Sequence, residues 1–214
     1  MNLYGFVGND GVSWIDILGA KKLTFQYDLA KETEVRGDEF KAGAVAVTDF
    51  NDMLDRAKEA VGKYHKDGKD PCNCIELLRI GGHGGKGKIH RGNLVPATGA
   101  NSLSTGAWNT LDIWTKASGG ELTEEFLEQR AEGGVFSGNE FDSIEAMKSL
   151  AGLMCEGGKL ELVSCQTGKG VQGESLKGRL EGLYGAGNVT LYDCNVTWSS
   201  EGVKKVKGNG EKIR

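Results

Sequence analysis

Two short apolar runs decide most of what this chain can become. "CIELLRI" (74–80) supplies Ile75, Leu77, Leu78 and Ile80, and "KLELV" (159–163) supplies Leu160, Leu162 and Val163. Both are too short for a helix and bounded by glycine, the pattern of a buried strand. Each then stops on a residue with chemical potential. The first runs into Gly81-Gly82-His83-Gly84 and the second into Ser164-Cys165-Gln166-Thr167-Gly168. A packing cysteine belongs inside a strand, whereas one at the tip, where the backbone turns, is placed for access.

The surrounding patterns fill in an alternating order. "KLTFQYD" (22–28) alternates Leu23, Phe25 and Tyr27 with polar residues, and a strand is expected near 43–48. Phe50, Met53, Leu54, Ala57, Val61 and Tyr64 fall at helical spacing, with Thr48 or Asp49 as the cap, predicting a helix over 50–65. Residues 96–138 show poor periodicity and read as a long excursion holding one helix near 121–131, with Trp108 and Trp114 in the core or along a groove. Phe141, Ile144, Met147, Leu150, Leu153 and Met154 predict a helix closed by Gly157-Gly158. "GESLKGRLEGLYG" suggests another helix and "GNVTLYDCNV" another strand. Strands alternating with helices predict an α/β fold, a mostly parallel central sheet flanked by helices.

Composition narrows the class. The 34 glycines against 2 prolines are roughly twice the usual ~7% share of glycine and have no collagen period, which indicates a turn-rich globular domain. A net charge of −4 argues against a nucleic-acid binder driven by phosphate contacts. No stretch approaches the ~18 apolar residues of a membrane span, and the start lacks a secretory pattern. Five cysteines form no even framework, which points to a reducing compartment, cytoplasmic synthesis and a persisting free thiol. Cys72-Asn73-Cys74 with His65 has the wrong spacing for a zinc knuckle, so no metal or other cofactor is expected.

Parallel sheets present functional residues at the carboxyl ends of their strands. Neighbouring strands would therefore bring His83 and Cys165 together. An imidazole beside a thiol supplies the base, or the imidazolium partner, that a cysteine nucleophile needs. The backbone N–H groups of Gly84 and Cys165 are candidates to face a developing oxyanion.

These two half-motifs, Ile80-Gly81-Gly82-His83-Gly84 and Leu162-Val163-Ser164-Cys165-Gln166-Thr167-Gly168, resemble those of the caspase-like cysteine peptidases, the clan that includes caspases, legumain, clostripain, gingipains and separase. The resemblance spans about residues 43–198 and has the clan's order, His before Cys. It implies a caspase-like fold over 43–200, Cys165 as nucleophile, His83 as general acid/base, and an oxyanion hole from the Gly84 and Cys165 amides. It also implies a protein or peptide substrate, with Ser164, Gln166 and Asp193 as substrate-binding candidates. Val163 stands where clostripain-like members carry an acidic residue, so no preference for basic side chains follows by that route.

Residues 2–20, "NLYGFVGNDGVSWIDILGA", resemble the closing motif of the Rhs (YD-repeat) core, with Gly11 and Ile17 where that motif carries proline. This resemblance implies that 1–20 is the remnant of an Rhs core, joined through a linker or edge strand at 21–42 to a toxin domain. An Rhs shell and a cognate immunity protein are the implied partners, with delivery into target cells without a signal peptide.

Two other classes stay open. One is a catalytically silent caspase-like module that binds a partner, and the other is an Rhs toxin of different chemistry, such as a nuclease. Residues 201–214, "EGVKKVKGNGEKIR", read as a solvated basic tail, His90 as a polar hairpin residue, and His65 as a helix-terminal residue.

Overall fold

The computed structural model describes residues 21–27, 45–62, 74–90, 102–117, 138–199 and 202–206. Its centre is a five-stranded parallel sheet. In chain order the strands are β1 (Lys21–Tyr27), β2 (Val45–Val47), β3 (Ile75–Gly81), β7 (Met154–Val163) and β8 (Val189–Thr190), and across the sheet they run β2-β1-β3-β7-β8. The α/β expectation with a mostly parallel sheet therefore holds. β1 lies between β2 and β3 and pairs with both, so residues 21–27 are an interior strand, which corrects the linker or edge strand expected there.

Among the described residues four helices occupy the connections: α1 (Phe50–Gly62), α2 (Thr105–Ala117), α3 (Gly138–Ala151) and α4 (Gly170–Tyr184). The links β2 to β3, β3 to β7 and β7 to β8 all step the same way across the sheet. Because such crossovers are right-handed, their helices collect on one face. The core agrees. Phe25, Leu78, Ile80, Leu160 and Leu162 on the strands share one apolar cluster with Phe50 and Met53 of α1, Trp108 of α2, Ile144 and Met147 of α3 and Leu176 and Leu180 of α4. Trp108 is thus a core residue. The alternate strand positions carry a polar row, Thr24, Arg79, Glu161 and Thr190, in register across four strands. There the Arg79 guanidinium donates to Glu161 at 2.6 Å and the Tyr192 hydroxyl donates to the same carboxylate.

Local chemistry sets the helix boundaries. Asp49 caps α1, accepting the Asp52 amide at 2.9 Å, while the Asp52 carboxylate accepts the Thr48 amide at 2.9 Å. Ser104 caps α2 by accepting the Ala107 amide at 3.1 Å. This helix falls inside the excursion where periodicity predicted none at that place; the helix expected at 121–131 lies outside the described residues.

α3 ends at Ala151, earlier than its apolar pattern suggests, because Met154 already belongs to β7. Gly157 and Gly158 do not close the helix. Ile75 stands opposite Met154 and Leu77 opposite Lys159, so residues 155–158 form a bulge in β7. Gly157 takes the left-handed φ of 73° that this bulge requires. The bulge carries Cys155 to Cys74 just before β3, where the two form a disulfide with Cα atoms 4.9 Å apart. A sequence separation of 81 hid that pairing. The expectation of free thiols is corrected for this pair and stands for Cys165 and Cys194; Cys72 and His65 lie outside the described residues.

The described residues also form two small antiparallel units. β4 (His83–Gly85), β5 (Lys88–His90) and β6 (Ser102–Ser104) form a meander, with His83 and His90 in register. β9 (Asn195–Ser199) pairs with β10 (Gly202–Val206) in a hairpin, so the start of the supposed basic tail is strand. Among the described residues no helix is long and apolar enough to cross a membrane. The Rhs-like residues 1–20 lie outside them.

Candidate functional site

The carboxyl ends of β3 and β7 are adjacent, with Ile80 opposite Leu162 and Gly81 opposite Val163. Three contacts then carry the chain ends past each other as a unit. The Gly82 amide donates to Val163 O at 3.4 Å, and farther out the Gly87 amide donates to Thr167 O at 3.1 Å. Between them Gly84 lies directly on the Cys165 backbone. A Cβ built at Gly84 would fall 2.3 Å from Cys165 O, 2.8 Å from Cys165 N and 2.7 Å from Ser164 Cβ. Only glycine fits such an approach. The meander that begins at His83 is thereby fastened to the turn that begins at Cys165. Thr105 steadies the outer contact, its hydroxyl donating to Gln172 O at 2.8 Å and its amide to Gly87 O at 3.0 Å.

The turn after β7 folds back on the segment that follows β8. The Gln166 amide donates to Cys194 O at 2.9 Å and the Gly168 amide to Tyr192 O at 2.8 Å, an antiparallel step of two residues. Making this reversal places Gln166 in the left-handed region at φ 58°, the one non-glycine residue with positive φ among those described. Such a conformation costs about 1–2 kcal/mol for an L-residue and persists where the surroundings hold it. The Gln166 carboxamide donates to Asn195 Oδ1 at 3.2 Å, and the Thr167 hydroxyl donates to Ser164 O at 3.2 Å.

The site residues expected from the sequence divide as follows. His83 is half-buried at the start of β4. Cys165 is half-buried, packed with Val163, Val196, Tyr192 and Cys194, and its Sγ lies 3.6 Å from Val196 O. Ser164 is 1% exposed and its hydroxyl has no hydrogen-bond partner, so it packs beneath the turn and is not offered to a substrate. Gln166 has its side chain engaged with Asn195, and Asp193 is exposed on the segment that walls the turn. Neither Asn195 nor Tyr192 is marked by any local pattern of residues. Tyr192 is tied to the underside of the site, its phenol held well above the usual tyrosine range by burial and by its bond to Glu161.

Chemically, the arrangement sets a thiol and an imidazole on adjoining strand ends, with the Gly84 and Cys165 backbones in contact between them. Among the described residues no group of three or more His, Cys, Asp or Glu could hold a metal ion. No family model matches the chain, and neither a curated protein nor a solved structure shows significant similarity to it.

Proposed function

We propose that the chain is a cysteine endopeptidase of caspase-like type and forms the toxin tip of an Rhs polymorphic toxin. One observation carries the reading: Gly84 and Cys165 meet backbone to backbone, which joins the His83 end of β3 to the Cys165 end of β7. Further support comes from the parallel strand order, with His preceding Cys on neighbouring strands.

In this mechanism the Cys165 thiol leaves Val196 O by rotation about one bond, and His83 takes its proton as sulfur attacks a peptide carbonyl. The Gly84 and Cys165 amides receive the oxyanion. His83 then protonates the leaving amine, giving a thioacyl enzyme. Water, deprotonated by His83, hydrolyses the thioester and returns the thiol. The same reading makes an immunity protein and an Rhs shell the partners, with cytoplasmic synthesis followed by delivery into a target cell.

A second reading, a binding module without catalysis, is favoured by the packing of Cys165 against Val163 and Val196 and by its contact with Val196 O. Expression of the chain in cells beside Cys165→Ala and His83→Ala separates the two. The peptidase reading expects growth arrest and new protein N-termini with the parent only, the loss in either variant exceeding ~10³-fold in cleavage. Identical behaviour of all three folded chains overturns it and favours the binding module.

A further inference from the structure

Gln166 is held by three hydrogen bonds. Its amide donates to Cys194 O at 2.9 Å, its carbonyl accepts the Lys169 amide at 3.0 Å, and its carboxamide donates to Asn195 Oδ1 at 3.2 Å. The peptide plane it shares with Cys165 is clamped on both edges. The N–H edge meets the Cys194 carbonyl, and the carbonyl edge lies against Gly84, where a Cβ would come within 2.3 Å of Cys165 O. Fixing that plane fixes the direction in which the Cys165 side chain leaves the backbone. Glycine is the default residue for a left-handed position. A glutamine held at φ 58° with its side chain tethered to β9 indicates that the tether itself is used.

We infer that Gln166 is a positioning residue: its side-chain bond to Asn195 holds the left-handed turn that sets the Cys165 backbone against Gly84 at the His83 end of β3, and it does not contact substrate. This deepens the peptidase reading and rests on it for its catalytic consequence. The role differs from a fold-stabilising one in a way that can be measured, because Gln166→Gly removes the tether and relieves the backbone at once. A residue that served stability alone would leave the thiol unchanged when replaced by glycine.

The test is alkylation of the full chain by iodoacetamide across pH, with modification at Cys165 and Cys194 quantified separately by peptide mass spectrometry. Cys194 serves as the internal reference for Gln166→Gly, and thermal melting confirms that each variant is folded. Expected is a ~10-fold slower reaction at Cys165 at pH 7 for Gln166→Gly, in the range that small misplacements produce. Asn195→Ala should give the same change, and the double variant should be no slower than either single one, the mark of a shared contact. Asn195→Asp keeps the acceptor and should hold the Cys165 rate near the parental value. A parental rate at Cys165 in both Gln166→Gly and Asn195→Ala overturns the inference. His83→Ala separates the two levels. If it slows alkylation of Cys165 while the Gln166 and Asn195 variants do not, the dyad stands and the positioning role falls. If it has no effect while those variants change Cys165 without adding, the positioning role stands and the dyad falls.

Discussion

The two ends of the β3–β7 pair are built on opposite plans. At the amino end the strands fall out of register, and the bulge at 155–158 is secured by the Cys74–Cys155 bond. At the carboxyl end the register is kept to Gly81 and Val163, and the chains beyond it meet closely at Gly84 and Cys165, with a left-handed glutamine and an unpartnered buried hydroxyl a few residues apart. Covalent security sits where nothing chemical is expected. Tight, conformationally costly geometry sits where the imidazole and thiol are. Departures from local preference gather at sites because a functional geometry is held by its surroundings against what each residue would adopt alone.

The contrast can be broken from either end. The largest effect on stability is expected at the amino end. Replacing both Cys74 and Cys155 by serine opens a closure of 81 residues and should lower stability by about 4.5 kcal/mol on the chain-entropy scale. Denaturant titration measures the loss, and the alkylation rate of Cys165 in the folded fraction should stay at the parental value.

Glycine substitutions sharpen the comparison. Gly84→Ala forces a methyl group into the Cys165 backbone and should cost about 1–3 kcal/mol, as overpacking does, together with most of the activity. Gly157→Ala meets open space at a φ of 73° and should cost only the left-handed penalty of about 1 kcal/mol, with activity intact. Equal losses of activity in the two variants would erase the distinction between the ends.

The smallest effect concerns the polar row below the site. In the unfolded chain tyrosine ionises near pH 10, whereas burial and the bond to Glu161 raise Tyr192 above that value in the fold. Above pH 10 the folded state therefore binds more protons, and stability present below that pH declines as pH rises. Tyr192→Phe should cost about 1 kcal/mol at pH 7 and make the alkaline decline shallower, measured by melting from pH 8 to 11. The buried Tyr184, raised by burial in the same direction, keeps its own share of that decline in the variant.

Much of this fold was legible where one residue pattern had one physical meaning. The apolar face of α1 and its Asp49 cap, the runs that became β3 and β7, and the helix after Gly170 all follow from period and capping. Reading failed where tertiary pairing overrode local pattern. Leu153 and Met154 continue the periodicity of α3 yet belong to a turn and to β7, and a Gly-Gly pair suited to stopping a helix serves a bulge. α2 is buried by packing against α3, α4 and β6, which local periodicity does not register, and β10 is strand only because β9 pairs with it. At the site, adjacency of the two strand ends followed from the logic of parallel sheets. The burial of Ser164 and the left-handed Gln166 had no local signal, since both arise from the fold-back onto residues 192–194.

The bond between Cys74 and Cys155 also makes a ring of the chain between them. His83 lies on that ring and Cys165 just outside it. A protease that cut once anywhere from 75 to 154 would therefore separate no fragment: the two halves would migrate as a single species without reductant and as two with it. Cleavage and release are thus distinct events for this molecule, and the second waits on electrons.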